Sequence, residues 1–178
     1  MKKLIATFFL TITLLSGCII IINQPSAEEK ELYNLQQQMK KQVSELQTTI
    51  SSSNYDPSTV GSYIDSGLQA IQDGIKKVDE MKIPDKIKTI AGETKKKLQD
   101  LQRNYEQLKT LFNDIDSLKK KGAELTAEAK AEIDKQIKNL QGTVKEVLNL
   151  LNRSANYFQN LGQQIMGQYG SQQTTQQK

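Results

Sequence analysis

The chain has 178 residues, 25% of them charged, with no His, no Trp, one Cys and three Pro. That length suits one domain with a leader and a tail. Without His, Ser–His–Asp triads and His-containing metal sites are excluded, and a single Cys excludes both an intrachain disulfide and a cysteine zinc cluster. The formal charge is +4, but without Lys2 and Lys3 22 basic residues face 20 acidic ones, a net of +2. Charges of both signs interleave, which predicts solvated helix faces and no nucleic-acid interface. Gln is abundant and strand-forming residues are sparse after residue 25. That composition belongs to long polar helices.

The chain opens with a short positive segment, Met1-Lys2-Lys3, followed by the apolar run LIATFFLTITLL and then Leu15-Ser16-Gly17-Cys18. A basic start, an apolar stretch of this length and small residues before a junction form a signal-peptide pattern. Residues 1–18 resemble the lipobox signal of bacterial lipoproteins, L-[AS]-[GA]-C. The resemblance covers those residues only. It implies diacylglyceryl transfer to the Cys18 thiol and recognition of Leu15, Ser16 and Gly17 by the lipoprotein signal peptidase. Cleavage would follow Gly17, and Cys18 would become the first residue of a lipid-anchored chain. Residues 1–17 are then the signal peptide and residues 18–26 a lipidated tether. The alternative is an uncleaved anchor, because residues 4–22 carry no charge and 19 residues span ~30 Å at ~1.5 Å each. Both readings place the remainder of the chain outside the cytoplasm, at the cell membrane or outer membrane. Ile19, Ile20, Ile21 and Ile22 would lie against the bilayer or under the folded domain.

The mature chain carries four amphipathic stripes. Ser26 with Glu29 has the form of a capping box and predicts a helix over 27–52, with Leu32, Leu35, Met39, Val43, Leu46 and Ile50 on one face. The turn-rich SSSNYDPS ends it. Asp56 as cap and Pro57 in the first helical position start a second helix over 57–82, with Val60, Ile64, Leu68, Ile71, Ile75 and Val78 as its stripe. Gly61, Gly67 and Gly74 weaken that helix and point to close helix–helix approach. Pro84 separates it from a third helix over 85–120, whose stripe runs from Ile87 to Leu118 in nearly heptad steps. Lys119, Lys120 and Lys121 followed by Gly122 predict a basic last turn and a glycine stop. Thr126 caps a fourth helix over 126–166, with Ile133, Ile137, Leu140, Val144, Val147, Leu151, Phe158, Leu161 and Ile165 inward. Leu148 and Leu150 widen that stripe and predict burial of the middle of the helix. Residues 167–178 have no apolar period and predict a disordered polar tail.

Four such helices with short connections predict an all-α fold, an antiparallel up-down four-helix bundle occupying residues 27–166. The third and fourth helices, being longer, should project beyond the others at the end away from the lipid. Tyr55, Lys119, Lys120 and Lys121 share that end and are the candidate partner contacts. No catalytic constellation is legible: paired acids such as Asp114 and Asp116 sit two apart, where side chains do not face each other on a helix. No cofactor, metal or enzymatic activity is expected. The expected role is a membrane-anchored, non-catalytic binding or scaffolding bundle with an envelope or host protein as partner. The alternative is an amphipathic-helix protein that meets membrane lipid or an anionic envelope polymer directly.

Overall fold

The computed structural model describes residues 24–123 and 126–170. Leu15, Ser16, Gly17, Cys18 and the four isoleucines lie outside these residues, as do residues 171–178. Four helices follow one another: α1 Ala27–Ser52, α2 Pro57–Glu80, α3 Lys88–Gly122 and α4 Ala127–Gly170, with a 3-10 turn Asp85–Ile87 leading into α3. The described residues contain no strand. α1 packs on α2, α2 on α3, α3 on α4, and α4 returns to α1. The fold is an antiparallel four-helix bundle closed into a ring. No helix among the described residues is long and apolar enough to cross a membrane.

The helix starts follow from their caps. The backbone N–H of Ser26 donates to Glu29 Oε2 at 2.7 Å, and Glu29 N–H donates back to Ser26 Oγ at 3.2 Å. These two bonds satisfy donors that a helix start otherwise leaves open. Glu29 is fully buried and pairs with Lys86 at 2.9 Å, which ties the first turn of α1 to the link before α3. At α2, Asp56 Oδ2 accepts from Thr59 N–H at 2.9 Å and from the hydroxyls of Ser58 and Thr59 at 2.5 and 2.8 Å. The Ser58 bond, followed by the two from Thr59, holds the Asp56 carboxyl down at about 2, from an ordinary 3.8.

A depressed carboxylate stabilises the fold above its unfolded value, and that contribution fades as pH falls through the folded value. The Asp56 cap should therefore remain ionised at pH 3 and be lost toward pH 2. Carboxyl-detected NMR should give Asp56 a midpoint near 2, with Thr59 N–H moving in step; a midpoint near 3.8 would contradict the cap.

The ends of the helices differ from expectation in three places. α2 stops at Glu80, because residues 81–84 turn to extended backbone ahead of Pro84. α4 continues to Gly170, four residues past the predicted end at 166. Helix propagation past Ile165, which is fully buried, adds one hydrogen bond per residue fixed. Gly122 is not a left-handed stop: it ends α3 inside the helix, and no described glycine has a positive φ. A side chain there would meet Ile133 at 3.4 Å, an ordinary van der Waals contact with α4.

The core is built from the predicted stripes. Leu32, Met39, Val43, Ile50, Val60, Ile64, Leu98, Leu101, Phe158 and Ile165 are all fully enclosed. One polar rung crosses it: Gln36 Nε2 donates to Thr94 Oγ1 at 2.8 Å, and Thr94 Oγ1 donates to Ile90 O at 2.8 Å. Of the three α2 glycines, two permit close approach. A side chain at Gly67 would run into the Tyr105 ring, and one at Gly74 would meet Leu35 at 3.0 Å. Gly61 faces open space.

Candidate functional site

The antiparallel order puts the start of α1, the link at Pro84 and the end of α4 at one end of the bundle. The turn at 53–56, the end of α3 and the start of α4 lie at the other, far end. The predicted contact residues Tyr55, Lys119, Lys120 and Lys121 are therefore brought together. The Lys119 charge also helps lower the Asp56 carboxyl, which places the basic run beside the Tyr55 turn. Lys120 pairs with Asp116 of its own helix at 2.6 Å, and Lys119 and Lys121 are exposed.

Tyr55 itself is half-buried against the end of the core. The chain reverses through two left-handed residues, Asn54 at φ 48° and Tyr55 at φ 60°. Asn tolerates that region, whereas a bulky residue there is strained by ~1–3 kcal/mol. Tyr55 N–H donates to Ile50 O at 3.3 Å, and Asp56 N–H to Ser53 O at 3.1 Å. The strain is offset by closing α1 onto α2 in so few residues while the ring covers the core.

The overhang at the far end has a definite register. Asp65 pairs with Lys109 at 2.7 Å, and Asp79 pairs with Lys95, so Pro57 lies near the level of residue 117. The extra length of α3 over α2 is thus divided between the two ends. α4 differs. Lys40 donates to Gln159 Oε1 at 2.8 Å and Gln47 to Leu148 O at 3.2 Å, so α1 ends near the level of residue 146. The first four to five turns of α4 extend past α1 and lean on α3. No described side chain from 127 to 143 is fully buried; Val144 is the first.

Ile133, Ile137 and Leu140, predicted to face the core, are accordingly only half-buried, as is Leu118 opposite them. A shallow cavity of about 450 Å³ opens between the two helices here, floored by Leu118 and Leu140 and edged by Asp114, Lys121, Gln136 and Asn139. The prediction that the middle of α4 is widened by Leu148 and Leu150 is corrected. Leu148 is half-buried, and Leu150 is 43% exposed, because two neighbouring helices cover only one arc of the α4 surface.

Two further grooves on the bundle body combine residues far apart in sequence. Between α1 and α2, a cavity of about 340 Å³ is lined by Gln42, Glu45, Ser62, Tyr63 and Ser66, with Tyr105 of α3 as its floor. Small residues on this face of α2 leave the cleft open. Burial pushes the Tyr105 hydroxyl well above its ordinary value, so it is a neutral group. Between α3 and α4, a groove of about 520 Å³ is lined by Lys97, Asp100, Arg103, Leu150, Arg153 and Tyr157, among others. Neither is visible as a local motif. The one signal was composition: Arg occurs twice in the chain, at 103 and 153. Among the described residues, no three or more His, Cys, Asp or Glu side chains are grouped to hold a metal ion. No family model matches the chain, and no curated protein or solved structure matches it.

Proposed function

We propose that this chain is a lipid-anchored bacterial envelope protein that binds or scaffolds a protein partner through the far end of its bundle. The observation that carries this reading is the half-buried apolar strip of Leu118, Ile133, Ile137 and Leu140 beyond the end of α1, with Asp114 and Lys121 at its edge. Along α1 the stripe positions, from Leu32 to Ile50, are all enclosed. A strip of apolar surface with a polar rim is the usual anatomy of a partner contact. The lipobox at Cys18 supports an anchor at the opposite end, which would hold this strip away from the membrane.

The test uses the full lipidated chain as bait in envelope extract. A variant with Lys119, Lys120 and Lys121 changed to Gln and Leu118→Ser should lose a partner that Lys41→Gln, on the exposed side of α1, retains. Equal capture by both variants would refute the reading. If the unacylated chain instead binds anionic vesicles at low salt and releases them at high salt, direct membrane binding replaces it.

A further inference from the structure

The chain has 24 basic residues, 22 of them Lys, and its two Arg line the same groove between α3 and α4. Elsewhere Lys forms the ion pairs, such as Lys41 with Glu45 and Lys76 with Glu80 along single helices. Arg differs from Lys in presenting a rigid planar fork of donors that fits two oxygens of one oxyanion at once.

The groove is organised around one carboxylate. Asp100 accepts from Lys97 Nζ at 3.2 Å and from Arg103, so a single acid holds two cationic heads over the groove. Lys97 also sits 5.0 Å above the centre of the Tyr157 ring. That ring is fixed in turn, because its hydroxyl donates to Glu93 Oε2 at 2.8 Å. Two of the three cations are thus positioned before any ligand arrives, which reduces the ordering cost of binding. Burial pushes the Asp100 carboxyl up, but the hydrogen bonds and charges of Lys97 and Arg103 outweigh it and hold it low, so it remains ionised near neutrality.

Arg153 forms no ion pair among the described residues and is exposed at the groove edge. Three cations against one carboxylate leave the lining at +2. The Arg103 guanidinium uses one end on Asp100 and keeps donors for a second acceptor. Leu150, 43% exposed, and the Tyr157 ring add an apolar wall beside the charges. The volume of about 520 Å³ falls within the range of small-molecule sites.

From this arrangement we infer that the α3–α4 groove binds a small, multiply charged organic oxyanion, a phosphate ester or polycarboxylate, with Arg103 and Arg153 as its forks and Asp100 as the positioning residue. The groove is open, so solvent screens each contact and every Arg contributes modestly.

The full chain in neutral detergent should be titrated with inorganic pyrophosphate and, separately, with citrate, at low ionic strength and followed by amide NMR. Saturable shifts are expected at Lys97, Arg103, Asn104, Ser154 and Tyr157 with at least one of the two probes. Whichever binds names the oxyanion class. Arg153→Gln should weaken binding about fivefold, and Arg153→Lys should also weaken it, because charge without the fork is insufficient. The Arg103→Gln/Arg153→Gln double variant should show no saturation, while Lys41→Gln stays at the native affinity. Both arginines are exposed, so their loss should leave the thermal unfolding curve in place. A second arm adds phosphatidylglycerol vesicles. If pyrophosphate displaces them, the oxyanion comes from a lipid headgroup; if they do not bind through these arginines, it is a soluble ligand. The inference is overturned by shifts that never saturate with either probe. It is equally overturned if Lys41→Gln weakens binding as much as Arg153→Gln.

Discussion

Serine in place of Cys18 is expected to abolish lipid attachment completely. The reaction that the lipobox implies needs a thiolate as nucleophile, and a serine hydroxyl at the same place is a far weaker one. Intact-mass spectrometry should find the native protein without its first 17 residues and carrying acyl glyceride. The Cys18→Ser protein should retain Met1 and carry no lipid. If the lipobox reading holds, the effect is all-or-none, because no other residue of the signal offers a thiol to take the lipid. Each buried acyl CH₂ contributes ~0.8 kcal/mol, so two chains hold a protein at a bilayer and none leaves only the apolar leader. If residues 4–22 are instead an uncleaved anchor, native and Cys18→Ser proteins will both retain Met1 and differ only by sulfur against oxygen.

The second large effect is expected inside the bundle. Gly67→Ala should destabilise the fold, although alanine is the better helix former by ~1 kcal/mol. A methyl group there would penetrate the Tyr105 ring, which is 1% exposed. Overpacking of that kind costs ~1–3 kcal/mol. The α1–α2 cleft offers the ring one way out, since Tyr105 forms its floor. Moving outward, however, would strip the ring of its contacts and leave a hole where it had lain. The net loss should be about 1–2 kcal/mol, read as a lower denaturation midpoint at unchanged m-value. Tyr105→Leu removes the ring edge that the methyl would strike. The Gly67→Ala/Tyr105→Leu double variant should therefore be no less stable than Tyr105→Leu alone, and the cycle should show a coupling of ~1 kcal/mol or more. Additive losses would mean that the ring and the glycine do not meet.

The helices themselves were legible because each core position repeats at three- and four-residue steps. Leu32 to Ile50 in α1 lie wholly on the buried face, and both predicted caps, Ser26 and Asp56, form their bonds. Burial along α4 was not legible. Ile133 and Ile137 belong to the same stripe as Val144 and Leu151, yet only the latter pair is enclosed. The difference arises from how many helices stand alongside at each level, which is a property of chain lengths and register and not of the stripe. The basic last turn and the end of α3 at Gly122 were legible, but the left-handed glycine was not, because the chain continues through Ala123 in right-handed helical geometry. The Tyr55 turn was found as a loop, but its two left-handed residues depend on the demand of a short reversal. The arginine groove joins residues 97 and 157, so no local pattern could have announced it.

The ring of helices also determines how the bundle carries load. α1 is joined to α4 along its length, from Gly162 lying beside Tyr33 and Gln37 to the Gln47 bond, while its contact with α2 is opened by the cleft. A pull on the amino-terminal end along the bundle axis is opposed by α4 in shear, with many side chains resisting at once. The same force applied at right angles to the axis would peel α1 away one turn at a time, starting at the Ser26 cap and the Glu29–Lys86 pair. Resistance to traction is thus greatest in one direction, along the bundle axis from the start of α1 to the far tip.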